Sequence, residues 1–263
     1  MQIKSISFIG GGRISRILLK ALKQKNALPD QVLVSDPDEE VISTIKNIDK
    51  NIIKTVKNNA DLLNVDILFL SVHPPIVKII TNEIKGHIKP NTIVVSLIPV
   101  FSIEKLSGML GGINKIVRMI PNAPSLIHKG YNPIAYSEYI TADEKFQLQS
   151  LFNKWGQAPE VNEQKLEAYA IVTAMGPTYF WFQWLKLQEL GKQFGLNDTE
   201  LNNAIPAMLH GSIQTLFESA FTPVDVLDLI PVCPLKEEEM AIESIFDNKL
   251  KPLYAKLAQK GQE

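Results

Sequence analysis

Along the first part of the chain the hydrophobic positions fall in short blocks. Ile3–Gly10, Gln31–Asp36, Asn51–Val56, Asp66–Val72, Asn91–Ile98 and Asn114–Ile120 are rich in Ile, Val, Leu and Phe, and several lack polar alternation. Strands buried on both faces have this pattern, whereas a strand with one wet face alternates. Helix-length segments such as RISRILLKALKQKN and PPIVKIITNEIKG lie between the blocks. Strand–helix–strand repetition at this spacing predicts an α/β domain, a parallel sheet doubly wound with helices. A last strand is expected near APEVNE, closing a first domain at residues 1–162.

From residue 163 to 263 the pattern turns helical. LEAYAIVTAMGPTYFWFQWLKLQELGKQFG and DTELNNAIPAMLHGSIQTLFESA read as long helices, apolar over more than one face. Asp198 is the expected N-cap of the second, with Glu200 in its first turn. A last helical segment, LKEEEMAIESIFDNKLKPLYAKLAQKG, is expected to break near Pro252. A helix apolar nearly all round has to be buried, and about 100 residues make a thin core alone. These helices are therefore expected to pack on a second copy of the chain, the alternative being that they fold back on the sheet.

Composition narrows the function classes. The 263 residues are 45% hydrophobic and 21% charged with a net charge of −1, which points to no nucleic-acid or acidic-membrane partner. A single cysteine, Cys233, rules out a disulfide within the chain and suits a reducing, cytoplasmic setting. MQIKSISFIGGG lacks the apolar run and cleavage site of a signal peptide, and no stretch is long and apolar enough to span a bilayer. The four histidines have no metal-ligand spacing, so no metal is expected.

Candidate chemistry begins at Gly10-Gly11-Gly12, between the first strand and the first helix. Gly10-x-Gly12-x-x-Ser15 nearly matches the dinucleotide fingerprint of a Rossmann-type domain, where amides at the helix start face a pyrophosphate. Arg13 lies beside them and Ile14 follows. Asp36 ends the second strand, where a carboxylate reaches ribose hydroxyls and repels a 2′-phosphate, favouring NAD over NADP. Against this, Ser35 offers a hydroxyl to a phosphate, and Asp36-Pro37-Asp38 also suits a helix cap.

SFIGGGRIS, LFLSVHPP, IVRMIPNAPSLIHKG, AIVTAMGPTYFWFQWL and AIPAMLHGSIQTLFES together resemble the pyrroline-5-carboxylate reductase family, over nearly the whole chain. MIPNAPSLIHKG is the most specific of these. The resemblance implies a nicotinamide-dependent oxidoreductase, with a Rossmann-type sheet followed by an all-helical dimerisation domain. It puts Ser71, Val72, His73 and Pro74 along the cofactor and Asn58 near its adenosine end. Asn122, clamped between Pro121 and Pro124, is implied to lie beside the nicotinamide and substrate; otherwise it caps a turn. His73 replaces a frequent lysine and is either a cofactor contact or a loop spacer.

The substrate side departs from that family. Its substrate loop reads roughly Ser-Pro-Gly-Gly-x-Thr, whose amides hold a carboxylate; here DLIPVCPLKEEEMA brings Cys233, Leu235, Lys236 and Glu238. Leucine and lysine do not supply the amide nest of paired glycines. The helix start Gly-Ser-Gly-Pro-Ala has become Ala174-Met175-Gly176-Pro177-Thr178, while Thr173 stands at the family's threonine position. Asn122, Met175, Gly176, Cys233 and Lys236 are the substrate candidates, and Thr178 and Thr173 the candidate proton donors. The expectation is hydride transfer from reduced NAD or NADP to a C=N or C=O carbon. A true pyrroline-5-carboxylate reductase of proline biosynthesis and a non-catalytic NAD(P)-binding dimeric regulator are the alternatives.

Overall fold

The computed structural model describes residues 3–262, with side chains to residue 259. Met1, Gln2 and Glu263, at the ends of the two expected domains, lie outside the described residues. The order is β1 (Ser5–Ile9), α1 (Arg13–Gln24), β2 (Gln31–Ser35), α2 (Glu39–Lys46), β3 (Ile53–Val56), β4 (Ile67–Leu70), α3 (Val77–Ile84), β5 (Ile93–Ser96), α4 (Ile103–Met109) and β6 (Ile116–Met119). Then come β7 (Gly130–Tyr131), β8 (Ile134–Tyr136), α5 (Ala142–Phe152), β9 (Gly156–Gln157), α6 (Leu166–Tyr169), α7 (Pro177–Gln193), α8 (Asp198–Glu218), α9 (Pro223–Asp228) and α10 (Glu239–Gln262).

All six expected blocks are strands of one sheet, ordered β3-β2-β1-β4-β5-β6-β8. Neighbours are parallel except β8, which runs antiparallel to β6. The blocks lacked alternation because both faces are covered. Ile6, Phe8, Val32, Val34 and Phe69 point into one apolar layer with Leu18, Leu19 and Leu22 of α1. Ile9, Leu33, Leu68 and Leu70 point into the other, with Val77 and Ile84 of α3 and Leu106 of α4. Phe8 stacks on Phe69 at 4.4 Å, and Trp155 meets Phe69 edge-on at 6.1 Å. Each such burial contributes about 1.5–3 kcal/mol. The Trp155 indole N–H donates to the Leu18 carbonyl at 3.0 Å, so the ring also pins α1.

Four expectations need correction. APEVNE is not the closing strand: β8 takes that edge, β9 pairs only with β7, and Glu160 makes a lone bridge to Ile134. Asn197, not Asp198, caps α8. Its carboxamide oxygen accepts the Glu200 N–H at 3.0 Å while the Glu200 carboxylate accepts the Asn197 N–H at 2.8 Å, a reciprocal box that Asp198, one residue into the helix, cannot form. The apolar stretch from Leu166 is not one helix: α6 passes into a π-helical turn at Ala170–Ala174, and α7 starts afresh at Pro177. Finally, α10 runs through Pro252 without ending.

Two compact units divide the chain, Met1–Met175 with Pro252–Glu263, and Gly176–Lys251. In the first, Leu257 packs with Ile120, Ala135, Leu166 and Ala170. Also in the first, the buried Arg118 of β6 donates to Glu163 at 2.9 Å and Glu167 at 2.6 Å, and the same carboxylates accept the amides of Ile103 and Val100. In the second, α7 and α8 meet where Gly191 lies against Leu201; a Cβ at 191 would come within 2.4 Å of that leucine. Tyr179 packs edge-on against Phe246 of α10 at 5.8 Å. Yet Phe182, Leu185, Phe217, Leu227 and Met240 remain exposed. Within one chain these helices leave much apolar surface in water.

Candidate cofactor and reaction site

In a doubly wound sheet, ligands bind beyond the carboxyl ends of the strands where the winding reverses, between β1 and β4 here. The chain leaves β1 through Gly10 with φ +97°, and a Cβ there would lie 2.3 Å from the Ser71 carbonyl oxygen at the end of β4. Only glycine lets the two backbones touch. Ser15 locks the contact from beneath: fully buried, its hydroxyl donates to the Gly10 carbonyl at 2.6 Å and sits 2.9 Å from Ser71 Oγ, which carries the second hydrogen. The third fingerprint position is thus a hydrogen-bonding residue, a role the motif alone did not reveal.

Gly12 caps α1 without a side chain, no acidic residue occupies the first turn, and a Cβ on Gly12 would meet nothing within 4 Å. An anion-ready helix start with open space above it fits a dinucleotide pyrophosphate. Arg13 is exposed and Ile14 half-buried at its edge. Asp36 sits beside this turn, accepting the Gly11 N–H at 2.8 Å and the Asp38 N–H at 2.9 Å. The helix-capping alternative for this stretch falls to Asp38, whose carboxylate accepts from Glu40 and Val41 at the start of α2. Asp36 also lines a cavity of about 620 Å³ with Ser43, Lys46, Thr55 and Lys57.

Asn58 is exposed, and its side chain accepts the Ala60 N–H at 2.9 Å, capping a short 3-10 turn. Ser71 and Val72 are half-buried after β4; His73 is exposed and Pro74 opens the next turn. Asn122 follows β6 at the same carboxyl edge and is buried. Its oxygen accepts the Tyr131 N–H at 3.2 Å and its Nδ2 donates to the Thr173 carbonyl at 3.3 Å. Thr173 in turn donates its hydroxyl to the Tyr169 carbonyl at 2.8 Å. Much of the Asn122 side chain is therefore spent holding the π turn, with one amide hydrogen left over.

Tyr131 and Tyr169, missed in the sequence, complete this cluster with ring centroids 6.1 Å apart. Burial, then the adjacent Tyr169 phenol, push the Tyr131 phenol up. The pairing brings together residues from a two-residue strand and a four-residue helix, which leave no periodic signal. Gly130 precedes Tyr131 because a Cβ there would fall 2.2 Å from Ser125 Oγ. Met175 closes the π turn, its N–H donating to the Ala170 carbonyl at 3.0 Å.

The remaining substrate candidates belong to the second unit. Gly176 and Thr178 flank Pro177 at the start of α7. Cys233 is exposed, its thiol 3.4 Å from the Ile230 carbonyl, and Lys236 pairs with Glu239 at 2.7 Å. That pairing raises the Lys236 ammonium pKa and directs part of its charge to its own loop. Among the described residues, no group of three or more His, Cys, Asp or Glu side chains is arranged to hold a metal ion.

Comparison with known proteins shows what this chain is similar to. Residues 5–99 match the family described as NADP oxidoreductase, coenzyme F420-dependent. The chain is 25% identical to the pyrroline-5-carboxylate reductase of Pseudomonas aeruginosa, over 96% of this chain and 92% of that one. It is likewise 25% identical to that of Corynebacterium melassecola, over 84% of this chain and 83% of that one. Among solved structures, the NADP-bound pyrroline carboxylate reductase of Plasmodium falciparum aligns with a TM-score of 0.74 at 22% identity, covering 99% and 96% of the two chains. The Streptococcus pyogenes enzyme aligns with a TM-score of 0.79 at 17% identity, covering 95% and 98%. The glycine turn on Ser71, the proline-clamped Asn122 and the helices that follow occur together over the length in which the chain is similar to these pyrroline-5-carboxylate reductases.

Proposed function

We propose that the chain is a nicotinamide-dependent oxidoreductase that reduces a small C=N or C=O substrate other than the imino acid of its relatives. The carrying observation is the open α1 terminus above Gly12, backed by the Gly10–Ser71 contact and flanked by Asp36. Gly10, Gly12, Arg13, Ile14, Asp36, Asn58, Ser71, Val72, His73, Pro74 and Asn122 hold the cofactor in this proposal, with NAD preferred through Asp36. When bound, the nicotinamide supplies the hydride and takes the electrons' origin away from the protein. The chain's own residues orient it, exclude water and manage the proton.

Residues 1–162 act as the dinucleotide-binding domain and 163–263 as the helical domain of a homodimer or larger homo-oligomer. Exposed Phe182, Leu185 and Phe217 support the oligomer. Substrate choice lies with Met175, Gly176, Cys233 and Lys236, where the sequence leaves the family pattern.

A second reading, pyrroline-5-carboxylate reduction itself, is favoured by relatives of that name matching 96% of the chain. Steady-state oxidation of NADH, and separately NADPH, with pyrroline-5-carboxylate decides between them. Failure to turn over in a protein that binds NADH, with turnover of another cyclic imine or ketone, supports the changed substrate. Robust turnover overturns it in favour of the second reading.

A further inference from the structure

The turn that carries Asn122 has little to hold itself with. Pro121 and Pro124 have no N–H, and Ser125 donates its own to the Asn122 carbonyl at 3.1 Å. The hold comes from Asn132, whose side chain is fully buried. Its Oδ1 accepts the Asn122 N–H at 3.1 Å and the Ser125 hydroxyl at 2.9 Å, so one oxygen grips the turn on both sides of Pro124. A backbone N–H can only donate, which fixes the orientation of the Asn132 carboxamide. Its Nδ2 lies 2.7 Å from where a Cβ on Gly130 would stand and has no partner among the described residues. A buried donor without a partner lowers stability, so this amide is kept for what its oxygen holds.

Asn132 is itself fixed by the small second sheet. Its N–H donates to the Gln157 carbonyl at 2.8 Å, and the Gly130 N–H to the Trp155 carbonyl at 2.9 Å, both beside the β7–β9 pair. From there the hydrogen bonds run through Asn132 to Asn122, and from Asn122 Nδ2 to the π turn at Thr173. Resting on the oxidoreductase reading, in which Asn122 faces the nicotinamide, we infer that Asn132 is a positioning residue for the nicotinamide end of the site, acting through the backbone of Asn122. The Asn122 carboxamide keeps one amide hydrogen beyond its bonds to Tyr131 and Thr173, and the backbone that Asn132 grips sets where that hydrogen lies. A donor held in this way meets its ligand with little reorganisation. Asp36 and Asn58, proposed for the adenosine end, bond instead to Gly11, Asp38 and Ala60. Losing Asn132 therefore loosens one end of the cofactor and leaves the other.

Calorimetry on the full-length protein with NADH, and separately with ADP-ribose, which lacks the nicotinamide, tests this without turnover. Asn132→Leu removes the acceptor, and the gentler Asn132→Ser keeps a hydroxyl but draws it back from Asn122. Each is expected to raise the Kd for NADH about tenfold, the worth of one hydrogen bond, while the Kd for ADP-ribose stays within about twofold. Asn132→Asp keeps an oxygen on the Asn122 N–H and is expected to hold the NADH Kd near the wild-type value. In an Asn122→Ala background, Asn132→Ser is expected to change NADH binding by less than about twofold, because the group it positions is gone. Equal weakening of both nucleotides marks a residue that only supports the fold and overturns the assignment, as do losses at the two sites that simply add. A wild-type protein that binds neither nucleotide overturns the oxidoreductase reading and this role together. One that prefers NADH to ADP-ribose, and keeps that preference in Asn132→Ser, overturns the positioning role alone.

Discussion

A methyl group on residue 10 would collide with the Ser71 carbonyl, so the turn that starts the nucleotide site is set by a single missing carbon. Asp36 is the proposed cofactor selector, its carboxylate aimed beside that turn by two backbone amides. Lys46 and Lys57 line the same cavity and are the cations a 2′-phosphate would find once the carboxylate is gone. Asp36→Ser is therefore expected to raise the kcat/KM ratio of NADPH to NADH at least about tenfold, which corresponds to relief of about 1.4 kcal/mol of repulsion. Steady-state kinetics with each cofactor reads this directly, and an unchanged ratio removes Asp36 as the selector. The glycine turn between β1 and α1 was legible in the sequence because it lies within one strand and its next turn. The bonding of Asn122 was not, since its partners lie 9 and 51 positions away.

At the scale of elements, strands buried on both faces declared themselves by their unbroken apolar blocks. β8 did not, because a three-residue antiparallel strand has too few positions to carry a period. The π turn was hidden for the opposite reason: an apolar run with helical character looks continuous until a backbone bond skips a residue. α5 shows how an element depends on pH. Its cap, Thr141, exchanges hydrogen bonds with Glu144, which also pairs with Lys115 at 2.6 Å. Burial works against the charged Glu144 carboxylate, but the hydrogen bonds from Lys115 and Thr141 outweigh it and hold the pKa below the usual range. A carboxyl depressed in the folded state stabilises fully above its unfolded pKa, and that stability is lost as pH falls through the folded value. Urea unfolding is expected to show stability declining in acid, and Glu144→Gln is expected to flatten that decline. Parallel pH profiles for the two proteins would show that Glu144 plays no part.

For the whole molecule, the apolar character of the C-terminal helices was plain in the sequence, and the single chain leaves it uncovered. Phe182 and Leu185 lie three residues apart on one face of α7, 65% and 66% exposed. Pairing this face with a second copy predicts that the protein sediments at twice 29.4 kDa or more. Phe182→Lys with Leu185→Lys is expected to bring it to the mass of one chain, with the sheet unit still folded by circular dichroism. A variant that keeps the wild-type mass would place the contact elsewhere.

The two borders of the sheet bear on how such a molecule stays out of fibrils. On one side β3 is four residues long, with Lys54 exposed and Lys50 and Lys57 close by, so another strand would meet positive charge where it tried to zip on. On the other, β8 is partly roofed by its own chain: Ile134 donates to the Pro159 carbonyl and accepts the Val161 N–H. Backbone pairing between molecules is discouraged at both borders while the apolar helices stay free to seek one another. The fold thereby separates ordered assembly from aggregation, leaving the sticky surface on helices, whose backbone bonds are already satisfied.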